Sequence, residues 1–362
     1  MPSYLAALKD IVWFGLLGVT LCNRGIGRAI AQAKRHPFIY LFLSGFCVWM
    51  LLCSIVHLLF YYEPLTDSLL YNVRMPLEYI PAALLAPAFI GNWSRIGTTW
   101  KWLNWIAISF AAFEFVAVIG GWKPTGFDWG GLSVRFGGIF GSPNDWGIYS
   151  GCAIVAILAV AKNRWQLIGF VPGLLLTQSR SSFVGCVVAM VPILYRSDVR
   201  RTLMRSLAVL LLVGFAVSFI VPLRSSDDFL PEHVGLDESA VSRFDEVSKF
   251  QHDFRDLDNV GQLLFGVRYS HIESFYLALI ARGGLPAMVL YAGAIGMSIL
   301  RGWRLRKTST PHLVALCVVV LISTASIFIP YPDVYPTNFY LWLAVGVLWM
   351  EPIPWLQTSA PK

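Results

Sequence analysis

Residues 165–195 read WQLIGFVPGLLLTQSRSSFVGCVVAMVPILY, in which two apolar runs are separated by the polar sequence at 178–182. An α-helix needs roughly 20 apolar residues to cross the hydrocarbon core of a bilayer, which is about 30 Å thick. The stretch is therefore either one interrupted span or a helical hairpin whose tip lies at Ser179-Arg180. The two alternatives place every later loop on opposite sides of the membrane, so this stretch decides the predicted topology.

The composition of the chain puts these runs in a membrane. Of the 362 residues, 56% are hydrophobic and 14% are charged, whereas an ordinary soluble domain has roughly 25% charged residues. This composition excludes a water-soluble globular enzyme. Residues 1–22 are a weaker candidate, because Lys9 and Asp10 interrupt their apolar sequence, and they form either a span or an interfacial helix. The other segments that qualify or nearly qualify as spans are 37–60, 76–92, 102–121, 144–162, 203–222, 274–300, 311–330 and 338–350.

The positions of the basic residues decide between the two topologies. Five alternate connections contain more than half of the 28 Lys and Arg, with Asp198 as their only acid. These residues are Arg24, Arg28, Lys34, Arg35, Arg95, Lys101, Lys162, Arg164, Arg196, Arg200, Arg201, Arg205, Arg301, Arg304, Arg306 and Lys307. The other connections mix bases with many acids, and 223–272 carries ten acids against five bases. Since basic loops stay in the cytoplasm, the first set is cytoplasmic and 165–195 is a hairpin with an outward tip.

The predicted fold is an all-α polytopic membrane protein with 10–11 transmembrane helices, all within a single membrane domain over 1–362. One large extracytoplasmic loop, 223–272, is inserted between spans and is predicted to cover the bundle as a lid. Within it, residues 241–254 place apolar side chains at the spacing of an amphipathic helix. The six cysteines form no metal or disulfide pattern, and we interpret them as buried small hydrophobic residues.

The first group of polar residues on the predicted outer side is SVRFGGIFGSPND at 133–145. Its glycines allow the backbone to approach a ligand closely. Pro143 is typical of a helix start, which Ser142 or Asn144 is expected to cap. A helix N-terminus beside Arg135 favours an anion. The alternative is a tight turn with an arginine that extends toward the headgroups.

The second group is the hairpin tip. Arg180 lies about 24 Å of helix from Arg164 at 1.5 Å per residue, which is short of a full crossing. An arginine at that depth costs about 2.5–3.5 kcal/mol. Arg180 is therefore expected to face the protein interior or a water-filled cavity and to have a partner, the alternative being extension toward the outer surface. Ser179, with Ser181 and Ser182, adds hydrogen-bond donors at the same tip.

The third group, LFGVRYSHIESFYL at 264–277, leads from the large loop into the next span. His271 and Glu273 are candidate general bases, since imidazole titrates near neutral pH and burial raises the pKa of a glutamate. A helix cap or an interface residue is the alternative for His271. Arg282, about two turns further along, is predicted to lie in the membrane and to need a partner.

Three arginines are predicted to meet in one outer crevice. Arginine matches phosphate oxygens with paired hydrogen bonds and keeps its charge, so the predicted ligand is a lipid-linked phosphate or diphosphate. The sequence has no HExxH, GxSxG, phosphate-binding loop or acidic cluster with metal spacing, so neither a metal nor another cofactor is predicted. The three arginines are Arg135, Arg180 and one of Arg224, Arg243, Arg255 or Arg268.

Over about residues 100–350 the chain resembles the bacterial superfamily of O-antigen ligases and O-antigen or exopolysaccharide polymerases. The resemblance rests on RFGGIFGSPN at 135–144, TQSRSS at 177–182, a large external loop, ESFYL at 273–277 and RGGL at 282–285. It implies that Arg135 and Arg180 bind the diphosphate of a polyprenyl-linked saccharide, together with an arginine of the external loop. Further candidate ligands of the diphosphate are Arg268, Asn144 and Ser179.

Residues 273–277 favour the polymerases within this superfamily. The ligases typically have a His-Asn-x-Tyr-Leu-like pattern where this chain has Glu273-Ser-Phe-Tyr-Leu277, and the Glu-Ser form is more similar to the polymerases. The implied reaction is metal-independent transfer of a glycan from undecaprenyl diphosphate to an acceptor glycan, with Glu273 or His271 as the base. The implied location is the periplasmic face of the bacterial inner membrane. The expected partners are the lipid bilayer, a chain-length regulator and a flippase, and not nucleic acid.

Other functions fit parts of the sequence. An O-antigen ligase would use the same donor and transfer the glycan to lipid A–core. A transporter of lipid-linked saccharides would also be polytopic, but transporters usually have repeated halves and helices broken at mid-membrane, and the sequence shows no repeat. A non-catalytic scaffold of the assembly complex ranks below both.

Overall fold

The computed structural model describes only part of the chain, and most of its described residues are helical. The described residues are 14–16, 18–19, 22, 26–60, 76, 80–119, 128–129, 133–134, 142–160, 164–177, 179–195, 200, 260–266, 272, 274–329 and 337–351. The predicted span 203–222, the predicted helix at 241–254 and most of the loop 223–272 lie outside them. Most of the first 22 residues do so as well.

Eleven α-helices of six residues or more are present in the described part of the chain. They are α1 Ile26–Arg35, α2 Pro37–Phe60, α3 Ala86–Gly91, α4 Trp93–Ile119, α5 Pro143–Val160, α6 Leu167–Leu176, α7 Arg180–Leu194, α8 Val260–Phe265, α9 Phe275–Leu305, α10 Thr310–Ala325 and α11 Thr337–Trp349. Two 3₁₀ helices lie at Ile80–Leu85 and Arg164–Gln166. The purely α prediction is wrong in one small element, an antiparallel pair of strands, β1 Asp128–Trp129 and β2 Ser133–Val134.

Of the described helices, α2 and α9 are long and apolar enough to cross a membrane. The bounds of α2 match the predicted segment 37–60, and α9 extends the segment 274–300 to Leu305. The shorter apolar helices α7, α10 and α11 also lie in predicted segments. The apolar runs of 165–195 form two helices, since α6 ends at Leu176 and α7 begins at Arg180, which confirms the predicted interruption.

The predicted span 76–92 is wrong as a single long helix. The structure has the 3₁₀ helix Ile80–Leu85 followed by the six-residue helix α3. Both elements carry a proline at their second position, Pro81 and Pro87. Proline has no backbone N–H and its ring crowds the preceding turn, so a long α-helix through this segment is disfavoured.

Helices α5 and α10 form the centre of the bundle. Almost every residue of α5 is buried, as expected for a helix that is apolar on all sides. Helix α10 packs most extensively against α7 and also contacts α5, α9 and α11. A Cβ atom added to Gly185 of α7 would lie 2.6 Å from the carbonyl oxygen of Leu321. The missing side chain therefore allows α7 and α10 to approach closely, as small residues do between membrane helices.

The relative directions of the helices agree with the alternation that the basic loops predict. Gly147 and Gly151 of α5 lie against Ser182 and Cys186 of α7, so these helices are parallel. The N–H of Phe275, at the start of α9, donates to the carbonyl of Ser326 at the end of α10, over 3.1 Å. Helices α5, α7, α9 and α11 therefore begin at one end of the bundle, where α10 ends, and we call this the upper end.

At the opposite, lower end of the bundle, side chains of α9 and α10 bind the end of α11. Arg301 of α9 donates from Nε to the carbonyl of Leu348 over 2.7 Å, and its guanidinium lies 5.1 Å from the ring of Trp349. His312 of α10 lies with Nε2 3.0 Å from the carbonyl oxygen of Met350. Two helices that are adjacent in sequence, α9 and α10, thus both bind the end of α11.

Helix α1 reaches the same point. Arg35 pairs with Glu351 over 2.8 Å, and the ring of His36 meets that of Trp349 edge-on at 5.2 Å. Burial and, next, the charge of Arg301 lower the pKa of His36, so the imidazole is neutral at neutral pH. The predicted cytoplasmic basic residues before α2 and at the end of α9 therefore lie at one end of the molecule, together with Trp349.

A buried polar network joins α4, α5 and the start of α6. The hydroxyl of Tyr149 donates to Oδ1 of Asn104 over 2.9 Å, and Nδ2 of Asn104 donates to Oε1 of Gln166 over 3.3 Å. Nε2 of Gln166 donates to the carbonyl of Lys101 over 2.9 Å. Asn104 and Gln166 are both buried, so the network fixes α4 against the bundle.

Replacing Asn104 with leucine is expected to lower the stability of the protein by about 1–2 kcal/mol, because it removes both side-chain hydrogen bonds from a site shielded from water. Thermal unfolding of the purified protein in detergent measures the effect. Thr98→Val is the control on the same helix, since the exposed Thr98 hydroxyl bonds only one turn back to Ser94. Equal unfolding temperatures for the two variants would contradict the structural role of the network.

The cysteine prediction is largely correct. Cys53, Cys152, Cys186 and Cys317 are buried, and Cys47 is half-buried. Cys22 is exposed, so it is not the buried hydrophobic residue that was predicted. All six thiols are free.

Candidate functional site at the upper end of the bundle

Helix α5 begins at the end of the glycine-rich segment, as the sequence predicts. Pro143 is its first residue, where the missing N–H of proline costs no hydrogen bond. The hydroxyl of Ser142 accepts from the N–H of Asp145 over 3.4 Å, and the carbonyl of Ser142 accepts from the N–H of Trp146 over 3.0 Å. Of the two predicted caps, Ser142 therefore occupies the capping position, and Asn144 is left in the first turn.

The start of α7 packs directly against this first turn of α5. A Cβ atom added to Gly147 would lie 2.7 Å from Oγ of Ser182 and 3.2 Å from Cβ of Ser179. The two helices therefore approach closely only because residue 147 is a glycine. The contact brings together two regions that the sequence analysis predicts to share a site, the segment ending at Asn144 and the tip at Ser179-Arg180.

Three serines surround this contact. Oγ of Ser179 lies 2.9 Å from Oγ of Ser182 and 3.3 Å from Oγ of Ser181, and all three residues are buried. The N–H of Ser179 donates to Oγ1 of Thr177 over 3.1 Å. Ser179 is the N-cap residue of α7, yet its side chain makes no capping hydrogen bond. The three hydroxyls thus cluster at the start of α7.

Arg180 is the first residue of α7, and its side chain is exposed. This exposure excludes the protein interior, which was one of the expected surroundings, and it is compatible with a water-filled cavity or with extension toward the outer surface. The physical reason is its position, because the residue lies at the end of the helix, where a long side chain can reach solvent. The guanidinium is therefore exposed next to three buried serines.

Four helices direct their N-termini toward this end of the bundle, namely α5, α7, α9 and α11. The N-terminus of a helix carries a partial positive charge from its unpaired N–H groups. Thr337 and Asn338, at the start of α11, are buried, and Nδ2 of Asn338 has no hydrogen-bond partner within the described ranges. The upper end is therefore an electrostatically favourable place for an anion.

Helix α9 is broken close to this end. Gly284 has φ 67° and ψ −173°, a conformation that is essentially restricted to glycine. The end of α8 fills the break: a Cβ atom at Gly284 would collide with the carbonyl of Leu264 and lie 2.6 Å from that of Leu263. Gly266, with φ 83°, packs in turn on the carbonyl of Ala281. The end of the large loop is thereby fixed to α9.

Side chains of helix α2 contact the same break in α9 and the adjoining end of α8. Nε1 of Trp49 donates to the carbonyl of Gly283 over 2.8 Å, and its indole stacks on Phe265 at 5.2 Å. Nε2 of His57 lies 2.9 Å from the carbonyl oxygen of Phe265. The sequence analysis missed Trp49 and His57, although their separation of eight residues places both on one face of a helix.

Arg282 is 5% exposed and adjoins the break. Arg282 is therefore buried within the bundle, and its predicted position in the membrane stays a prediction. A buried arginine is expected to be paired with an anion or with hydrogen-bond acceptors.

The predicted site residues divide into two sets. Asn144, Ser179 and Arg180 lie in the described residues and belong to the adjoining starts of α5 and α7. Glu273, His271, Arg135 and Arg268 lie outside the described residues. Two neighbours of the second set are described: Gly266 packs on Ala281, and Ile272 is buried with Ala278 and Ala281. Within the described ranges, no three His, Cys, Asp or Glu side chains lie close enough to hold a metal ion.

No protein-family model matches the chain, and no curated protein matches it in sequence.

Proposed function

We propose that the protein is a multi-pass protein of the bacterial inner membrane. The support is the apolar surface of its long helices, whose most apolar windows are only 33% and 39% buried, whereas a core helix of a soluble protein is mostly buried. Large apolar side chains are exposed along α2 from Phe38 to Phe60. That distance is about 33 Å at 1.5 Å per residue, which matches the roughly 30 Å hydrocarbon core.

We further propose that the protein joins lipid-linked oligosaccharide repeat units of O-antigen or exopolysaccharide at the periplasmic face. The observation that carries this proposal is the direct contact between the starts of α5 and α7 at Gly147 and Ser182. It brings Asn144, Ser179 and Arg180 to one end of the bundle, where four helix N-termini favour negative charge. This arrangement suits the diphosphate of a polyprenyl-linked donor.

In the proposed reaction, the hydroxyl oxygen of the acceptor glycan attacks the anomeric carbon of the donor with inversion. The bond between that carbon and the diphosphate oxygen breaks, and the undecaprenyl diphosphate leaves with the electron pair. The proton of the acceptor hydroxyl passes to Glu273 or His271. Arg180 and Arg135 stabilise the negative charge that develops on the diphosphate, which is the largest electrostatic contribution expected in such a site.

The break in α9 at Gly284 favours a second candidate function, transport of the lipid-linked saccharide. Transporters often bind their substrate where a membrane helix is interrupted. The two functions differ in whether a bilayer is required. Purified protein that links glycans in detergent, with no compartment to transport into, would exclude pure transport.

Deletion of the gene is expected to leave single repeat units where the parent strain carries long polymer, because acceptor transfer is lost while export continues. Size-resolved glycan profiles of the two strains measure this. If the protein is instead a ligase, the lipid A–core will carry no repeat units and lipid-linked polymer will accumulate. An unchanged profile would contradict both glycosyltransferase assignments.

A further inference from the structure

The lower end of the bundle contains a cluster of one arginine and two aromatic rings, contributed by the ends of α7 and α9. The rings of Tyr195 and Trp303 meet edge-on at 5.2 Å. The guanidinium of Arg306 lies 4.2 Å from the ring of Trp303 and 5.2 Å from that of Tyr195. We call Tyr195, Trp303 and Arg306 the aromatic–arginine cluster. It brings together two of the basic connections that the sequence analysis places in the cytoplasm.

The guanidinium of Arg306 is oriented but not saturated. Nη1 donates to the carbonyl of Trp303, while Nε is buried and has no hydrogen-bond partner among the residues that the structure describes, so a ligand can meet only the terminal nitrogens. Contact with two rings that are inclined to each other by 75° confines the guanidinium and leaves its terminal nitrogens as the donors for further hydrogen bonds. An oriented arginine edge is the usual partner of a phosphate group.

The surroundings of the cluster are basic. Arg304, in the last turn of α9, and Lys307, just after its end, are exposed. The sequence from 301 to 329 contains no Asp or Glu. Tyr195 is followed by a sequence with three arginines and one acid, at 196–201. The charge available to a ligand here is therefore strongly positive.

An apolar surface continues from the cluster toward the middle of the bundle. Val187, Val191 and Leu194 of α7 are 50%, 42% and 38% exposed, and residues at this spacing share one face of a helix with Tyr195. Leu300 of α9, one turn before Trp303, is 62% exposed. The basic, aromatic cluster together with the exposed apolar stripe matches an amphipathic ligand such as a phospholipid. A free phosphate would contact only the basic part of this surface.

We propose that the aromatic–arginine cluster binds the phosphate headgroup of an anionic phospholipid, whose acyl chains lie along α7. The location fits the aromatic belt and the basic inner loops of membrane proteins. This site lies at the opposite end from the candidate diphosphate site. The inference rests on the proposed membrane location and does not rest on glycosyl transfer.

Native mass spectrometry of the purified full-length protein in detergent tests the proposal, with phosphatidylglycerol and phosphatidylcholine as probes. The wild type is expected to retain phosphatidylglycerol in preference to phosphatidylcholine. Arg306→Gln should weaken phosphatidylglycerol binding about tenfold, the effect of losing one charge-assisted hydrogen-bonded pair. Arg95→Gln removes the same charge from an exposed side chain of α4, which is not part of the cluster, and should change the affinity by less than about twofold.

Equal losses in the two variants would overturn the proposal, because they would mean that diffuse charge attracts the lipid. Inorganic phosphate that displaces the bound lipid at equal concentration would also overturn it in favour of a free-anion site. Arg306→Lys keeps the charge without the guanidinium fork and serves as a second variant, for which retention of wild-type affinity would contradict the proposal. Lipid retention is measured without a glycan substrate, so this inference and the proposed polymerase activity can fail independently.

Discussion

Polymer is expected to disappear when Arg180 is replaced with alanine, while insertion into the membrane stays intact. Arg180 is the exposed first residue of α7 beside the buried serines, so its removal should leave the packing of the bundle unchanged. Loss of one preorganised donor to a developing negative charge typically lowers a rate by about 10²–10³. Size-resolved glycan profiles of the deletion strain carrying the variant, together with the amount of protein in the membrane fraction, measure the effect.

Arg164→Ala is the matched control. Arg164 is also exposed and begins the short 3₁₀ helix before α6, at the other end of the helical segment that leads to the tip. It should support normal polymer. Normal chain length in the Arg180→Ala strain would remove Arg180 from the proposed mechanism, and an equal defect in both variants would point to a general role of charge in insertion.

Gly284→Ala is expected to destabilise the protein more than any other single change considered in the bundle. The conformation of Gly284 costs about 1–3 kcal/mol for a residue with a side chain. The new methyl group would collide with the carbonyl of Leu264, and such overpacking costs a further 1–3 kcal/mol or so. The variant should therefore release α8 from α9, unfold at a lower temperature and lose polymer formation.

The matched control lies on the same helix. A Cβ atom at Gly296 would meet nothing within 4 Å, so Gly296→Ala should be neutral or stabilise α9 by up to about 1 kcal/mol. Thermal unfolding of both purified variants in detergent, followed by size-exclusion chromatography, gives the comparison. Equal unfolding temperatures would show that the break in α9 is not required for the packing of α8.

The long helices of the described chain could be predicted well because apolar length is a local property. Residues 37–60 form α2 with the predicted bounds, and the Ser142-Pro143 start signal gives the first residue of α5. Local sequence also explains the failure at 76–92, since the apolar character of this segment predicts a long helix whereas Pro81 and Pro87 predict interruptions. Each of these prolines removes a backbone donor and crowds the preceding turn, although Pro172, Pro192 and Pro286 are accommodated inside α6, α7 and α9.

The contacts of the site could be predicted only in part, since they join residues that are distant in the sequence. The motifs at 135–144 and 177–182 indicate a shared site, but the contact of Gly147 with Ser182 is a property of how the two helices pack. The hydrogen bond from Trp49 to Gly283 joins residues 234 positions apart. Periodicity identifies which face of a helix is apolar, but it does not identify the partner of that face.

Helix α11 is synthesised after all the elements that it contacts, and this order has a consequence for biogenesis. Its last turn and the two residues after it bind Arg35, Arg301 and His312, and Gly346 packs against the backbone of Ala83 in the 3₁₀ helix Ile80–Leu85. Four elements that are synthesised earlier therefore contact α11, and these contacts can form only after α11 has left the ribosome. A nascent chain stalled before residue 337 would expose these surfaces together, and it is expected to be a substrate for membrane quality-control proteases.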